Sequence, residues 1–291
     1  MKSNSKLLNI VLNIIFILIL LSCILPVILV IVVSFTDQTV IDTSGYTFFP
    51  AKWSADAYRY VFKQSSNVLS AYKITILSTV IGTIVSVLAI SLYAYPLSRA
   101  DLKFKKFFTF YIFFTMLFGG GLVAWYVVVT KYLHLKNTFM ALVLPSAMNA
   151  WYVIIMRTFF QTSIPPALIE ACKIDGAGEF RIFARIILPL AVPAVATIAL
   201  FQTLTYWNDW WNPMLLINKQ ELYTLQLLLQ IMLQNIQKLS QGSAELREST
   251  NIPTDTVRMA LCVVAMGPIL IVYPFFQKYF IQGLTIGSVK G

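Results

Sequence analysis

Long apolar segments separated by polar connections are the main pattern along this chain of 291 residues. A helix needs about 20 apolar residues to cross the ~30 Å hydrocarbon layer of a bilayer. Segments that approach or exceed this length cover residues 7–35, 71–97, 107–130, 138–160, 186–208 and 256–276. We therefore expect an all-α polytopic membrane protein with six transmembrane helices.

The polar connections divide the expected spans into two regions. Residues 1–70 comprise the first span and an outer loop, and residues 71–291 comprise a five-helix core. The outer loop 36–70 is long for a bare linker, so we expect it to be ordered. A second outer loop, 213–253, carries a stripe of glutamines that predicts an amphipathic helix lying on the membrane. These glutamines are Gln226, Gln230, Gln234 and Gln237.

The composition excludes a water-soluble fold. Hydrophobic residues make up 58% of the chain and charged residues 12%, and a single soluble core cannot bury that much apolar surface. The first apolar run is too long for a signal peptide and lacks a cleavage site, so it predicts a retained helix. The three cysteines lie in apolar or cytoplasmic contexts and predict free thiols. His134 is the only histidine, so no metal site is expected.

The net charge of +10 is explained by membrane topology. Basic residues flank the apolar spans and form no patch with interleaved aromatics, so nucleic acid is not expected as a partner. The short loop 98–106 contains Arg99, Lys103, Lys105 and Lys106. Short basic loops remain in the cytoplasm, so we expect a multi-pass protein of the plasma membrane with both termini cytoplasmic.

A polar island lies between the fourth and fifth apolar segments, over residues 163–185. Pro165 and Pro166 suit the first turn of a helix, and Gly176 suits the end of one, where a positive φ is common. We predict a short helix over Pro165–Ile174, a turn at Asp175-Gly176, and a second short helix that runs into the fifth span. Small and apolar residues share one face of the first helix, which predicts a docking surface. They are Ala167, Leu168, Ala171 and Cys172.

The same island carries a resemblance to a known family. Glu170-Ala171-Cys172, then Gly176, then Ile186, Leu188 and Pro189 are similar to the EAA signature of the membrane subunits of ABC importers. Cys172 is the one departure, since another small residue stands where the family has Ala. In that family the loop forms a cytoplasmic coupling helix that sits in a cleft of the ATPase subunit. The alternative is an ordinary turn between helices of an unrelated membrane protein.

The resemblance implies which residues couple this chain to an ATPase. The implied coupling residues are Glu170, Ala171, Cys172, Lys173, Asp175, Gly176, Ala177 and Pro189. Polar contacts are expected at Glu170, Lys173 and Asp175, and a close fit at Ala171, Cys172 and Ala177. The tail 277–291 resembles that of carbohydrate importers, which implies that Ser288, Lys290 and Gly291 reach toward the interface between two ATPases.

The overall resemblance is to sugar permeases of the maltose-transporter type, especially their Gram-positive oligosaccharide branch. It implies a second, related permease subunit, two ATPase subunits, an extracellular sugar-binding lipoprotein, a sugar substrate and surrounding membrane lipid. The sequence contains no GxxxxGK[ST] phosphate loop, so we expect no ATP hydrolysis by this chain and no cofactor bound to it. ATP and Mg²⁺ belong on the partner ATPases, and the bundle is expected to alternate its opening between the two sides.

Two features have both a structural and a functional interpretation. Gly119-Gly120-Gly121 predicts a helix break, which serves either a gate in the pathway or a close helix crossing. The aromatic and polar residues near the outer ends of the spans form either an interfacial belt or a surface that stacks on sugars. The pathway interpretation selects Asn149, Tyr152, Trp207, Asn208, Asp209 and Trp210.

Two rival functions remain open from the sequence. One is an ABC importer for a solute other than a sugar, and the sugar-type tail and outer aromatics favour the sugar. The other is an ion-coupled carrier, which normally requires an ionisable group near mid-bilayer. Asp209 is the nearest such group and lies at the outer end of its helix. An enzyme is disfavoured because the sequence contains neither a catalytic triad nor paired carboxylates within a span.

Overall fold

The computed structural model describes residues 3–63, 65–241 and 254–288. Within these ranges the chain is helical, and the pairing of extended segments is limited to an isolated bridge between Thr36 and Trp53. The expected all-α fold is confirmed. The chain forms two compact units, one of residues up to 68 with 229–268, the other of residues 69–228 with those from 269 onward.

The α-helices follow one another with short connections. They are α1 Ser3–Ser34, α2 Gln38–Ser44, α3 Asp56–Phe62, α4 Ser65–Ser98, α5 Lys105–Leu117, α6 Gly121–Val127, α7 Met140–Val143, α8 Ala150–Ser163, α9 Pro166–Ile174, α10 Glu179–Ile182, α11 Leu188–Leu190, α12 Val192–Trp207, α13 Trp211–Leu216, α14 Leu225–Gln241 and α15 Thr254–Ser288. Two π-helical turns, Val128–Tyr132 and Phe183–Ile187, extend α6 and α10, and 3₁₀ turns occupy Leu144–Ser146 and Gln220–Leu222.

In the first unit, the connection after α1 is ordered by polar contacts, as its length predicts. Asp37 caps α2 by accepting a bond from the Thr39 amide at 3.0 Å, and it pairs with Lys52 at 2.7 Å. The Gln38 side-chain oxygen accepts bonds of 3.2 Å from the backbone amides of Asp255 and Thr256, at the start of α15. These contacts hold the loop against the first turn of α15.

Within the described part of the chain, two helices are by themselves long and apolar enough to cross a membrane. These segments are Leu8–Ser34 within α1 and Asn67–Ser98 within α4. Three more crossings are possible if each bent pair of helices counts as one: Lys105–Leu117 with Gly121–Tyr132, Met140–Ser146 with Ala150–Ser163, and Glu179–Leu190 with Val192–Trp207. The bends are 116°, 56° and 81°. The sixth expected segment, 256–276, lies inside α15, which is not among these five.

Each bend follows from residues that interrupt helical hydrogen bonding. The largest falls at the predicted glycine break, where Gly121 adopts φ +78°. The second follows Pro145, and Asn149 then caps the next helix. The third lies at Ala191, between Pro189 and Pro193, whose rings cannot donate backbone bonds. The second short helix of the island therefore runs into the fifth apolar segment, as expected, and an 81° bend at Ala191 divides that segment.

The second unit has a hydrophobic core that joins the polar island to the spans. Its most buried members come from four helical segments and the π-turn: Ile90 of α4, Met156 of α8, Ile182 of α10, Ile187 of the π-turn and Ile198 of α12. Ile169 of α9 belongs to the same cluster. Because one cluster includes all of these elements, the island is packed against the ends of the spans and is not a free loop.

Small residues on α4 allow close helix packing, as the sequence predicts. The Ser86 hydroxyl donates a 2.6 Å bond to the Ala147 carbonyl. A Cβ added at Gly82 would lie 2.6–2.7 Å from ring carbons of Tyr206. The Tyr206 hydroxyl in turn donates to the Val143 carbonyl at 2.8 Å. At Gly82, α4 therefore lies directly against the Tyr206 ring of α12.

Gly82→Ala should destabilise the protein, because the added methyl displaces the Tyr206 ring and lengthens its bond to Val143. Overpacking of this kind costs about 1–3 kcal/mol. The measurement is the melting temperature of the purified protein in detergent. Gly267→Ala is the matched control: a Cβ at that helical glycine meets nothing within 4 Å of the described chain, so alanine should be neutral or slightly stabilising. Equal melting temperatures for the two variants would contradict the close packing of Gly82.

Candidate functional site

Helix α9 of the polar island begins and ends as its sequence predicts. Pro165 precedes it in an extended conformation, and Pro166 is its first residue. At the other end Gly176 adopts φ +77°. Its amide donates to the Lys173 carbonyl at 3.1 Å, and the Ala177 amide donates to the Cys172 carbonyl at 2.9 Å. This pair of bonds is a Schellman cap, which satisfies the last helical carbonyls and turns the chain sharply.

The island exposes large apolar side chains that the sequence analysis did not select. Ile174 is 86% exposed and Phe180 76%, on either side of the turn at Gly176. Leu168, which belongs to the predicted docking face, is 37% exposed. Exposed apolar groups at the tip of a polar loop are typical of a protein interface. Ile174 and Phe180 are therefore candidate docking residues that an argument from small residues on one helical face could not find.

The predicted coupling residues divide between the surface and the interior. Cys172 and Ala177 are half-buried and pack against the core cluster, so they anchor the island within this chain. We expected these two residues to fit closely against a partner, but in the structure they pack against the protein's own core. Exposed positions are Glu170, Ala171, Lys173, Asp175, Gly176 and Pro189. Ser288 is the last residue of α15, while Lys290 and Gly291 lie outside the described residues.

An ion-pair cluster ties the end of α9 to the end of α4. Lys173 Nζ lies 3.0 Å from Asp101 Oδ2 and 2.8 Å from Glu179 Oε1. Arg99 lies 3.3 Å from Asp101 and 3.9 Å from Glu179. The Tyr95 hydroxyl donates a 2.6 Å bond to the other oxygen of Glu179. We call these five residues the Lys173 cluster.

The charges of this cluster are mutually stabilised. Hydrogen bonds from Lys173 and Arg99 lower the pKa of Asp101 to about 2, and the carboxylates of Glu179 and Asp101 raise the pKa of Lys173. A lowered carboxyl pKa contributes stability at neutral pH that is lost only as the pH falls below the ordinary value of 3.8 towards 2. Asp101 therefore remains ionised and Lys173 protonated across the physiological range.

Solvent limits the strength of the cluster but not its geometry. The Asp101 and Lys173 side chains are 59% and 38% exposed, so water screens each pair and reduces its contribution to stability. Arg99 is only 15% exposed and contacts both carboxylates, which fixes their spacing. Displacement of α9 must therefore displace the end of α4 as well, or break several contacts at once.

The residues proposed for the pathway do not form a single group. Asn149 caps α8 by accepting a bond from the Trp151 amide at 2.9 Å. Tyr152 stacks on Phe201 at 5.9 Å between ring centroids. Asp209 accepts bonds of 3.1 Å from the amides of Trp211 and Asn212. The contacts of Asn149 and Asp209 lie at the starts of the helices that follow them, and the Tyr152–Phe201 stack joins α8 to α12.

The remaining members of that set are also held by local contacts. Trp207 is 5% exposed and therefore buried. The side-chain amide of Asn208 donates to the Leu204 carbonyl of the preceding helix turn at 2.9 Å. Trp210 packs edge-to-face on Trp211, with centroids 5.4 Å apart. Trp207 is therefore an interior side chain, whereas Asn208 and Trp210 are exposed, and the part of this set in a pathway remains a prediction.

Comparison with known proteins identifies the family. The profile described as "Binding-protein-dependent transport system inner membrane component" matches residues 100–286. The chain belongs to this family. The matched range contains the whole polar island, and the resemblance to the membrane subunits of ABC importers is confirmed.

Relatives of this permease cover nearly its full length. The polygalacturonan/rhamnogalacturonan transport system permease protein YtcP of Bacillus subtilis is 40% identical over 262 residues, which are 90% of this chain and 91% of that protein. The arabinooligosaccharides transport system permease protein AraQ of Halalkalibacterium halodurans is 28% identical over 294 residues, or 100% and 99% of the two chains.

A solved structure supports the fold. The permease is similar, with a TM-score of 0.79 and 29% identity, to a chain of a bacterial ABC transporter involved in the import of the acidic polysaccharide alginate. The similarity covers 96% of this chain and 98% of that chain. The binding-protein-dependent permease fold predicted from the sequence is therefore confirmed.

Proposed function

We propose that this permease imports acidic oligosaccharides, of the kind released from uronate-rich polysaccharides, as one membrane subunit of an ATP-driven importer. The observation that carries the proposal is the 40% identity to a polygalacturonan/rhamnogalacturonan permease over 90% of the chain. The neighbouring structure is of a transporter for alginate, which is also an acidic polysaccharide. Repeated carboxylates along the sugar chain are the chemistry that these two substrates share.

The energy for import comes from partner subunits in this proposal. The sequence contains no phosphate loop, so ATP and Mg²⁺ are bound by two ATPase subunits. A second permease and an extracellular sugar-binding lipoprotein complete the assembly. The loop 98–106 and the polar island lie in the cytoplasm, which agrees with the basic residues of that loop.

The polar island transmits the motion of the ATPases. Ile174 and Phe180 enter a groove of the ATPase, and Glu170 and Asp175 make polar contacts at its edge. When the ATPases close, α9 moves with them, and the Lys173 cluster carries α4 along. Movement of α4, together with the angled segment through Ala191, changes which side of the bundle is open.

Deletion of the gene should abolish uptake of radiolabelled oligogalacturonides and leave uptake of neutral maltooligosaccharides unchanged. A plasmid copy should restore the acidic uptake. Uptake should stop when cellular ATP is depleted and should survive a protonophore applied at constant ATP, because the driving force is hydrolysis. Unchanged oligogalacturonide uptake in the deletion strain would disprove the substrate class. Collapse with the ion gradient at constant ATP would disprove the energy source.

A further inference from the structure

A cleft lies between α5 and α8, outside the polar island. Its volume is about 490 Å³. Its lining residues are Lys105, Lys106, Thr109, Phe110, Phe113 and Arg157. Three cations, one hydroxyl and two aromatic rings therefore surround one space. None of these residues belongs to the predicted coupling set or to the predicted pathway.

The positive charge of this cleft is not neutralised within the described part of the chain. Lys105 Nζ donates to the Arg99 carbonyl at 2.7 Å, and Arg157 Nε donates to the Leu97 carbonyl at 3.3 Å. These acceptors are backbone oxygens, which carry no net charge. Among the described residues, no carboxylate lies within 4.0 Å of the charged nitrogens of Lys105, Lys106 or Arg157. The cleft therefore favours an anion.

A second observation points to the same space. The Thr109 hydroxyl oxygen is buried and has no hydrogen-bond partner in the described structure. A buried hydroxyl without a partner is unfavourable, because the hydrogen bonds that it made to water are not replaced. An occupant with an acceptor oxygen would satisfy it. The three cations and this donor together match a phosphate group, which offers several acceptor oxygens and a negative charge.

The apolar side of the cleft restricts what carries the phosphate. Phe110 is 65% exposed and Phe113 42%, and the rest of α5 continues as an exposed apolar helix. A free phosphate ion would leave these rings in contact with water. A phospholipid would place its headgroup among the cations and its acyl chains along the rings. Basic pockets at the cytoplasmic ends of transmembrane helices bind anionic headgroups in this manner.

We propose that this cleft is a binding site for an anionic phospholipid of the cytoplasmic leaflet, with its phosphate among Lys105, Lys106 and Arg157 and its acyl chains against Phe110 and Phe113. The choice of leaflet rests on the cytoplasmic placement of loop 98–106 in the proposed function. The binding itself depends on neither the sugar nor the ATPases.

The test is native mass spectrometry of the full-length chain in detergent, with equal amounts of phosphatidylglycerol and phosphatidylcholine added. Phosphatidylglycerol should be retained preferentially. Lys106→Gln should weaken its binding about fivefold, since a lysine near an anionic lipid surface contributes about 1 kcal/mol and 1.4 kcal/mol is tenfold. Lys106 is the best choice because Lys105 and Arg157 also bond the backbone of α4 and its following loop.

Lys103→Gln is the matched control, because it removes the same charge from the same loop and Lys103 does not line the cleft. It should leave lipid retention unchanged. Equal retention of the two lipids, or equal losses in the two variants, would overturn the proposal in favour of general surface charge. If an equal concentration of inorganic phosphate displaced the lipid fully, the occupant would be a free phosphate ion and the lipid assignment would be wrong. Oligogalacturonide uptake by cells is measured separately, so failure of this site is distinguishable from failure of the proposed function.

Discussion

Lys173→Glu should abolish transport while the protein still inserts into the membrane. The new carboxylate would lie near Asp101 and Glu179, so two attractions become two repulsions. Like charges at this distance repel, so the substitution favours conformations in which α9 no longer holds α4.

The measurements are uptake of labelled oligosaccharide and ATP hydrolysis by the reconstituted transporter. Lys173→Glu should retain ATP hydrolysis in part and lose uptake, because the loop still docks but no longer moves α4. Lys173→Arg should remain active, since it keeps the charge. Lys103→Glu makes the same change in charge on the neighbouring loop, where no ion pair is described for Lys103, and should be near normal. Equal loss in the Lys103 and Lys173 variants would refute a role for the cluster.

Gly176→Val should also uncouple ATP hydrolysis from uptake. Gly176 adopts φ +77°, a conformation that costs an ordinary residue about 1–2 kcal/mol and a β-branched residue more. Valine would therefore open the Schellman cap and shift Ile174 and Phe180 relative to each other. The expected result is normal membrane insertion, with uptake close to background.

Gly176→Asn provides the control for backbone conformation. A Cβ at this position meets nothing within 4 Å in the described chain, so both side chains have space. Asparagine tolerates a positive φ, and valine does not. The asparagine variant should therefore support most of the normal uptake. If both variants lose uptake equally, the cause is the volume added at the docking surface, and the backbone explanation is wrong.

Local chemistry made several features predictable from the sequence. Proline at the start of α9 and glycine at its end fixed that helix to within one residue, because each has a specific backbone requirement. The break at Gly119–Gly121 followed from helix propensity alone. Apolar length located the segments occupied by the two long helices and the three bent pairs. The family profile bears out the resemblance carried by Glu170, Gly176 and Pro189.

Contacts between distant segments were not predictable in the same way. Lys173 lies 72 positions from Asp101, and no periodicity relates the two residues. The sequence does not single out Glu179, which accepts a bond from Tyr95, 84 positions away. Ile174 and Phe180 were missed because the argument selected small residues on one face of α9, whereas Ile174 is large and Phe180 lies beyond that helix. The 81° bend could not be predicted in this way, because it depends on the combined effect of Pro189 and Pro193 on the backbone around Ala191.

The bend at Gly119–Gly121 has a consequence for the life of the protein in the cell. Helix α5 has 13 residues and is about 20 Å long, too short to cross the bilayer alone. A Cβ on any of the three glycines would meet no described atom within 4 Å. Non-helical backbone inside a bilayer requires cover from other protein or from water. If the second permease of the proposed assembly supplies that cover, a newly made chain without it would expose this bend to the lipid and should be degraded faster. Its abundance should then follow the rate at which the partner is synthesised.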